Sequence, residues 1–253
     1  MSRSTRNQIT TNPVDYYINW SAGEGYIRVY NRETKETTKR ETLKFAVLDN
    51  LFAISGYTEE DGQIYSNEIR NISEDVLKVR QGNETIAVGT YSEIRERVKS
   101  RGGKFTNVLY VLLEDGKSLG QIKFSGASNG VWISFKNSGA DSPYEGNPKP
   151  DIYREGIAIV GKSELRKKGV AKWFDPVLET YEVSEEFDEK TLMMDEKVQA
   201  YLGTKIEKDQ ESIDKAGSLY GTEEAVPPKE SVSGPVPDLT EADLAEEDDD
   251  LPF

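Results

Sequence analysis

Acidic and apolar residues are segregated along this 253-residue chain, and that segregation limits which part of it can build a core. From Ser184 to Phe253 there are 21 acids and 6 bases, a balance of −15. Met1–Val183 holds the other 25 acids and 26 bases, so the formal net charge of −14 belongs to the C-terminal part. Ser218–Pro237 carries Pro227, Pro228, Pro235 and Pro237 among Ser, Gly and Glu, the composition of a linker. The reading is therefore a folded body over 1–183, a peripheral helix over 184–202, and a disordered acidic tail over 203–253. As a flexible chain, the 51 residues from Gly203 span roughly 35–43 Å, about the diameter of a compact 183-residue body.

The body reads as short strands joined by hairpin turns. In Tyr26-Ile27-Arg28-Val29-Tyr30, Ile27 and Val29 point one way and Tyr26, Arg28 and Tyr30 the other. Leu43–Leu48 and Leu51–Tyr57 read as two core strands separated by a kink at Asp49-Asn50. Glu60-Asp61-Gly62 then turns the chain back, which would set Tyr57 close to Tyr65. A second hairpin runs from Val76–Arg80 into Thr85–Val88, and Phe105–Leu113 turns at Asp115-Gly116 into Leu119–Phe124. Tyr91–Ser100 has helical spacing, with Thr90 or Ser92 as cap and Gly102-Gly103 as stop. Gly126–Asn137 reads as a short helix, with a strand at Val131–Phe135 as the alternative. Ile152–Val160 and Trp173–Val183 read as the last strands, and Glu186–Tyr201 as a helix. The expected class is mainly β, an OB-fold-like Greek-key barrel with inserted hairpins and one to three short helices. Other barrels and sandwiches share this strand inventory.

Several chemistries are excluded by composition. The sequence has no Cys and no His, which removes disulfides, thiolates, zinc sites of the usual kind and histidine acid–base catalysis. Gly23-Glu24-Gly25 lacks the Lys and the following helix of a phosphate-cradling loop. No enzyme, metal or cofactor is expected. With no apolar run long enough to span a membrane and no apolar region in MSRSTRNQ, a cytoplasmic protein is expected.

The last residues carry the most specific motif. Glu241–Phe253 holds seven carboxylates and no base, and ends in Asp248-Asp249-Asp250-Leu251-Pro252-Phe253. This resembles the C-terminal tip of bacterial single-stranded-DNA-binding proteins, a few aspartates followed by an apolar-Pro-Phe tripeptide, with Leu251 where that family more often has Ile. Several phage single-strand binders likewise end in an acidic run and a terminal Phe. In the body, NPVDYYINW and KWFDPVLE give a looser similarity to phage-encoded replication proteins. The resemblance implies a tip that docks on replication or recombination proteins. Phe253 would offer a ring to an apolar pocket and a carboxylate to its basic rim, and the aspartates would add screened long-range attraction.

Single strands are bound by aromatic faces that stack on bases and by cations that track phosphates. Tyr26, Arg28 and Tyr30 combine both on one strand face, and Tyr57 and Tyr65 form a second aromatic pair. For phosphates, Lys162, Arg166, Lys167, Lys168 and Lys172 are the stronger cluster. Lys35, Lys39, Arg40 and Lys44 are interleaved with Glu33, Glu36 and Glu41. Trp20, Trp132 and Trp173 read as core. The function expected is non-sequence-specific single-stranded DNA binding in replication or recombination, in a host cytoplasm if phage-encoded. The alternatives are a strand-annealing or recombination-mediator protein, and an acidic interaction or DNA-mimic protein that binds a host enzyme and no DNA.

Overall fold

The computed structural model describes residues 11–139 and 143–219, the side chains of 214–219 excepted. The tip Asp248–Phe253 lies outside the described residues. The strands are β1 (Tyr16–Ser21), β2 (Tyr26–Asn31), β3 (Thr37–Arg40), β4 (Leu43–Thr58), β5 (Gly62–Ser66), β6 (Leu77–Gln81), β7 (Glu84–Gly89), β8 (Gly103–Leu113), β9 (Leu119–Ser125), β10 (Gly156–Lys162), β11 (Arg166–Lys168), β12 (Ala171–Trp173) and β13 (Pro176–Tyr181). The helices are α1 (Tyr91–Lys99), α2 (Ala127–Asn137) and α3 (Glu185–Leu219). The protein is mainly β. None of these helices is long and apolar enough to cross a membrane.

Eleven strands form one mixed sheet in the order β3-β2-β1-β9-β8-β4-β5-β6-β7, with β10 beside β4 and β13 beside β10. The pairings are antiparallel except that of β1 with β9, where Tyr16 lies opposite Gly120. β11 and β12 pair separately as a two-stranded hairpin.

The two apolar runs around Asp49-Asn50 are one sixteen-residue strand, β4. A bulge between Val47 and Asp49, opposite Val111 and Tyr110, inserts the extra residue that looked like a kink. It shifts the alternation by one. Leu43, Phe45 and Val47 face one core before it, whereas Asn50, Phe52 and Ile54 take that face after it. Leu48, Leu51 and Ala53 face the opposite side. Strand β8 is buried on both faces, with Leu109, Val111 and Leu113 on the first and Val108, Tyr110 and Leu112 on the second.

The first face carries two clusters. One gathers side chains from β1, β2, β4, β8, β9, β10 and β13 beneath α2, which contributes Trp132 and Phe135. The other packs Ile54, Ile64, Leu77, Val79 and Ile86 under Ile94 and Val98 of α1. The opposite face is covered by α3 through Val198, Tyr201 and Leu202. The row of strands curls. The β1–β2 turn meets the segment before β13, where Phe174 donates its N–H to the Ala22 carbonyl at 2.8 Å and its own carbonyl accepts from the Trp20 indole at 2.7 Å. That detour explains why Trp173–Val183 is not one strand: β12 ends at Trp173, and β13 restarts at Pro176, which has no N–H to pair.

Helix α3 runs well beyond Tyr201, so the flexible-chain treatment fails for Gly203–Leu219. Glu68 anchors this extension. Its carboxylate accepts from Tyr110, Gln121 and Lys205, the last at 2.7 Å, and farther on Lys78 donates to Ser212 at 3.2 Å. Ile213 is buried.

Beneath α2 a chain of buried polar groups links three elements. The Trp132 indole donates to Asn50 Oδ1 at 3.0 Å, Asn50 Nδ2 to Asn107 Oδ1 at 2.9 Å, and Asn107 Nδ2 to Asn129 Oδ1 at 2.6 Å. Replacing Asn50 by Leu strands the indole N–H and one side of the Asn107 amide. Each orphan costs about 1–3 kcal/mol, so a total loss of ~2–6 kcal/mol in urea unfolding is expected. A loss below ~1 kcal/mol would show that these groups find other partners.

Candidate nucleic-acid interface

Roofed by α2 at one end and α1 at the other, the first face of the sheet leaves a strip between the helices. Three rings occupy it. Phe52 of β4 and Phe105 of β8 sit on adjacent strands with Asn107 opposite Phe52, and their rings stack at 5.5 Å with planes 24° apart. Tyr91, the first residue of α1, sets its ring 4.8 Å from Phe105 at 47°. All three are half-buried. Tyr91 is fixed by the helix start, where the Thr90 N–H donates to the Glu93 carboxylate at 2.8 Å.

Cations flank the row. Lys136, in the last turn of α2, holds its Nζ 5.8 Å from the Phe52 ring centroid. Burial pushes the Lys136 ammonium down, and the nearby Lys149 charge adds to that. On the α1 side, burial pushes the Tyr91 hydroxyl up, while the Arg95 and Lys99 charges act in the opposite direction. Contacting rings with cations near both ends of the cluster match the two devices that hold single strands.

The residues expected from sequence fall in three places. Tyr26, Arg28 and Tyr30 share the face of β2 opposite Ile27 and Val29, as the alternation predicts. Tyr30 stacks on Tyr17 at 6.4 Å. Their cations are not idle. Glu24 accepts from the Tyr26 hydroxyl and from Arg28 at 2.9 Å, and Lys39 lies 3.7 Å from the same carboxylate and 4.3 Å from the Tyr26 ring. This cage neutralises part of the patch.

Lys162 ends β10, and Arg166, Lys167, Lys168 and Lys172 line the exposed β11–β12 hairpin. Between them Val170 is 94% exposed at the turn. Arg166 is pinned to Asp175 at 3.2 Å, and Lys162 lies 4.4 Å from the Phe174 ring. The fold brings this cluster beside the β1–β2 turn. Gly25, at φ 69°, sits so close that an added Cβ would lie 2.5 Å from Lys162 Cδ.

Tyr57 and Tyr65 are exposed at the far end of the sheet. They are diagonal rather than directly opposite, because Tyr57 pairs with Gln63 and Tyr65 with Ser55. Tyr65 also faces Arg80, and Ser55 pairs with Lys104, so both cations join the aromatic row on that side. This side is the one α3 borders, opposite to the Tyr91–Phe105–Phe52 strip. Trp132 is core, as expected, whereas Trp20 and Trp173 are half-buried and donate to Phe174 and Asp175.

The ring strip was not singled out from sequence. Phe52 and Phe105 sit within apolar runs that read as core, and in the structure both are half-buried at the edge of the α1 cluster. The one local signal was Tyr91 at a helix start beside Arg95 and Lys99.

Among known proteins, no family model, no curated protein and no solved structure matches the chain.

Hydrogen bonds from Tyr26 and Arg28 hold the Glu24 carboxyl at about 2, so the cage stays ionised at neutral pH. Carboxyl-detected NMR titration is expected to place the Glu24 midpoint near that value. A midpoint in the ordinary range near 4.3 would mean that the cage does not form in solution.

Proposed function

We propose that the protein is a non-enzymatic single-stranded-DNA-binding protein of the kind phages encode, coating exposed strands without sequence preference during replication or recombination. The observation that carries the reading is the cluster Tyr91–Phe105–Phe52 with Lys136 at its Phe52 end: three half-buried rings in mutual contact, with cations beside them. Bases stack on such rings at about 1–3 kcal/mol each, and the interaction is indifferent to sequence because every base has a π face. The Tyr26–Arg28–Tyr30 patch, the β11–β12 hairpin and the Tyr57–Tyr65–Arg80 row are separate candidate surfaces, the last of them on the face that α3 borders.

We read the curled part of the sheet as OB-fold-like. Seven strands surrounding one core, and the β1–β2 turn tied back to Phe174, support a small closed barrel. The acidic tip Asp248–Phe253 is read as the docking segment for replication or recombination proteins, on the strength of its resemblance, in a host-cell cytoplasm.

Titration with oligothymidylate and with duplex DNA, at low and high salt, tests the reading. Binding confined to single strands and weakening with salt is expected. The Phe105→Ala substitution is expected to cost about 1–3 kcal/mol, roughly 5- to 150-fold in affinity, at an unchanged far-UV spectrum. No binding to oligothymidylate at low salt would sink the reading. Separately, deletion of Glu241–Phe253 is expected to raise single-strand affinity at low salt and abolish capture of replication partners. If both are unchanged, the tip serves only solubility.

A further inference from the structure

At the Phe52 end lies a shallow, open cleft of about 650 Å³ between β4, the end of α2 and the 149–153 segment. That volume is in the range of small-molecule sites. Its cations are Arg70, Lys136 and Lys149. Arg70 is already answered by Asp49 at 2.9 Å. Lys136 and Lys149 have no carboxylate partner among the described residues, and they repel one another. Two like charges facing one cleft, one of them desolvated, are an arrangement that an anion of matching charge relieves.

We propose that this cleft is a phosphate-monoester subsite, in which Lys136 and Lys149 hold a terminal phosphate while its nucleoside rests on Phe52. The charge count selects the monoester. An internal phosphodiester carries one negative charge, whereas a monoester carries about 1.5 to 2 at neutral pH and offers three acceptor oxygens. Phe52 lines the cleft beside Lys136, and Asn137, Asp151 and Tyr153 line the remaining wall, the Asp151 carboxylate lying 3.7 Å from the Arg154 guanidinium. The monoester has two sources, the end of a phosphorylated strand or a free mononucleotide. The assignment rests on the groove being a single-strand site where the first source is concerned, and stands apart from it for the second.

The test uses the full chain and isothermal titration with four probes: octathymidylate with hydroxyls at both ends, the same oligomer with a 5′-phosphate, the same with a 3′-phosphate, and thymidine monophosphate. A terminal phosphate at one or other end is expected to tighten binding roughly ten-fold, the scale of one charge-assisted hydrogen bond. The end that gains reports the polarity of the bound strand. That ratio is expected to fall to near one in Lys149→Ala, a change at an exposed loop position, and in Lys136→Met, which keeps the apolar stem over Phe52. Saturable binding of thymidine monophosphate, lost in the same variants, with no increment in the oligomers, assigns the cleft to the free nucleotide. Equal binding of all three oligomers together with no binding of the mononucleotide overturns the subsite and leaves single-strand binding standing. Failure of the hydroxyl-ended oligomer to bind sinks the single-strand reading, and the mononucleotide alone then decides the subsite.

Discussion

The rest of the structure depends on Asn50. The bulge before it turns this amide into the interior, where it joins the Trp132 indole to Asn107, and Asn107 joins Asn129. Buried amides without partners are expensive, so the helix carrying Trp132 and Asn129 has one favoured seat on β4 and β8. That seat fixes where α2 ends, and the end of α2 fixes Lys136 over Phe52. An apolar contact alone would let α2 slide by a residue at little cost; a chain of amides would not.

The sheet divides its labour by face. One side holds two helices, with the half-buried ring cluster between them. The other is closed by α3 through an apolar seam and the Glu68 cluster, in which a nearly buried carboxylate is satisfied by a tyrosine, a glutamine and a lysine. The net effect is that α3, rich in acids, lies on the side opposite the groove. Repulsion between its carboxylates and an anionic ligand in the strip is therefore reduced by distance and by the intervening core.

Much of the fold was legible because local rules were obeyed. Tyr26–Tyr30 alternates cleanly and does so in the structure. Glu60-Asp61-Gly62 and Gly82 mark hairpins, and Tyr91–Ser100 has its cap and its stop. What stayed hidden is long-range. The bulge in β4 breaks a period-2 pattern without any glycine or proline to announce it, so one strand read as two. The extension of α3 relies on sparse anchors, Lys205 to Glu68 and Ile213, which leave no strong apolar stripe in an acidic sequence. The candidate site follows the same logic. Strand-face residues such as Tyr26 and Arg28 were readable, although the Glu24 that cages them was not. Phe52 and Phe105 look like core until the helices are placed.

The parallel pairing of β1 with β9 has a consequence for how the chain assembles. The β1–β2 hairpin is local and can form as soon as it is made, but its partner strand lies about a hundred residues farther along, and the seat for its turn at Phe174 comes later still. Until β9 has been made, the hairpin therefore waits with one edge open. Closing so large a loop is entropically costly, and until it closes an unpaired edge is exposed to other chains.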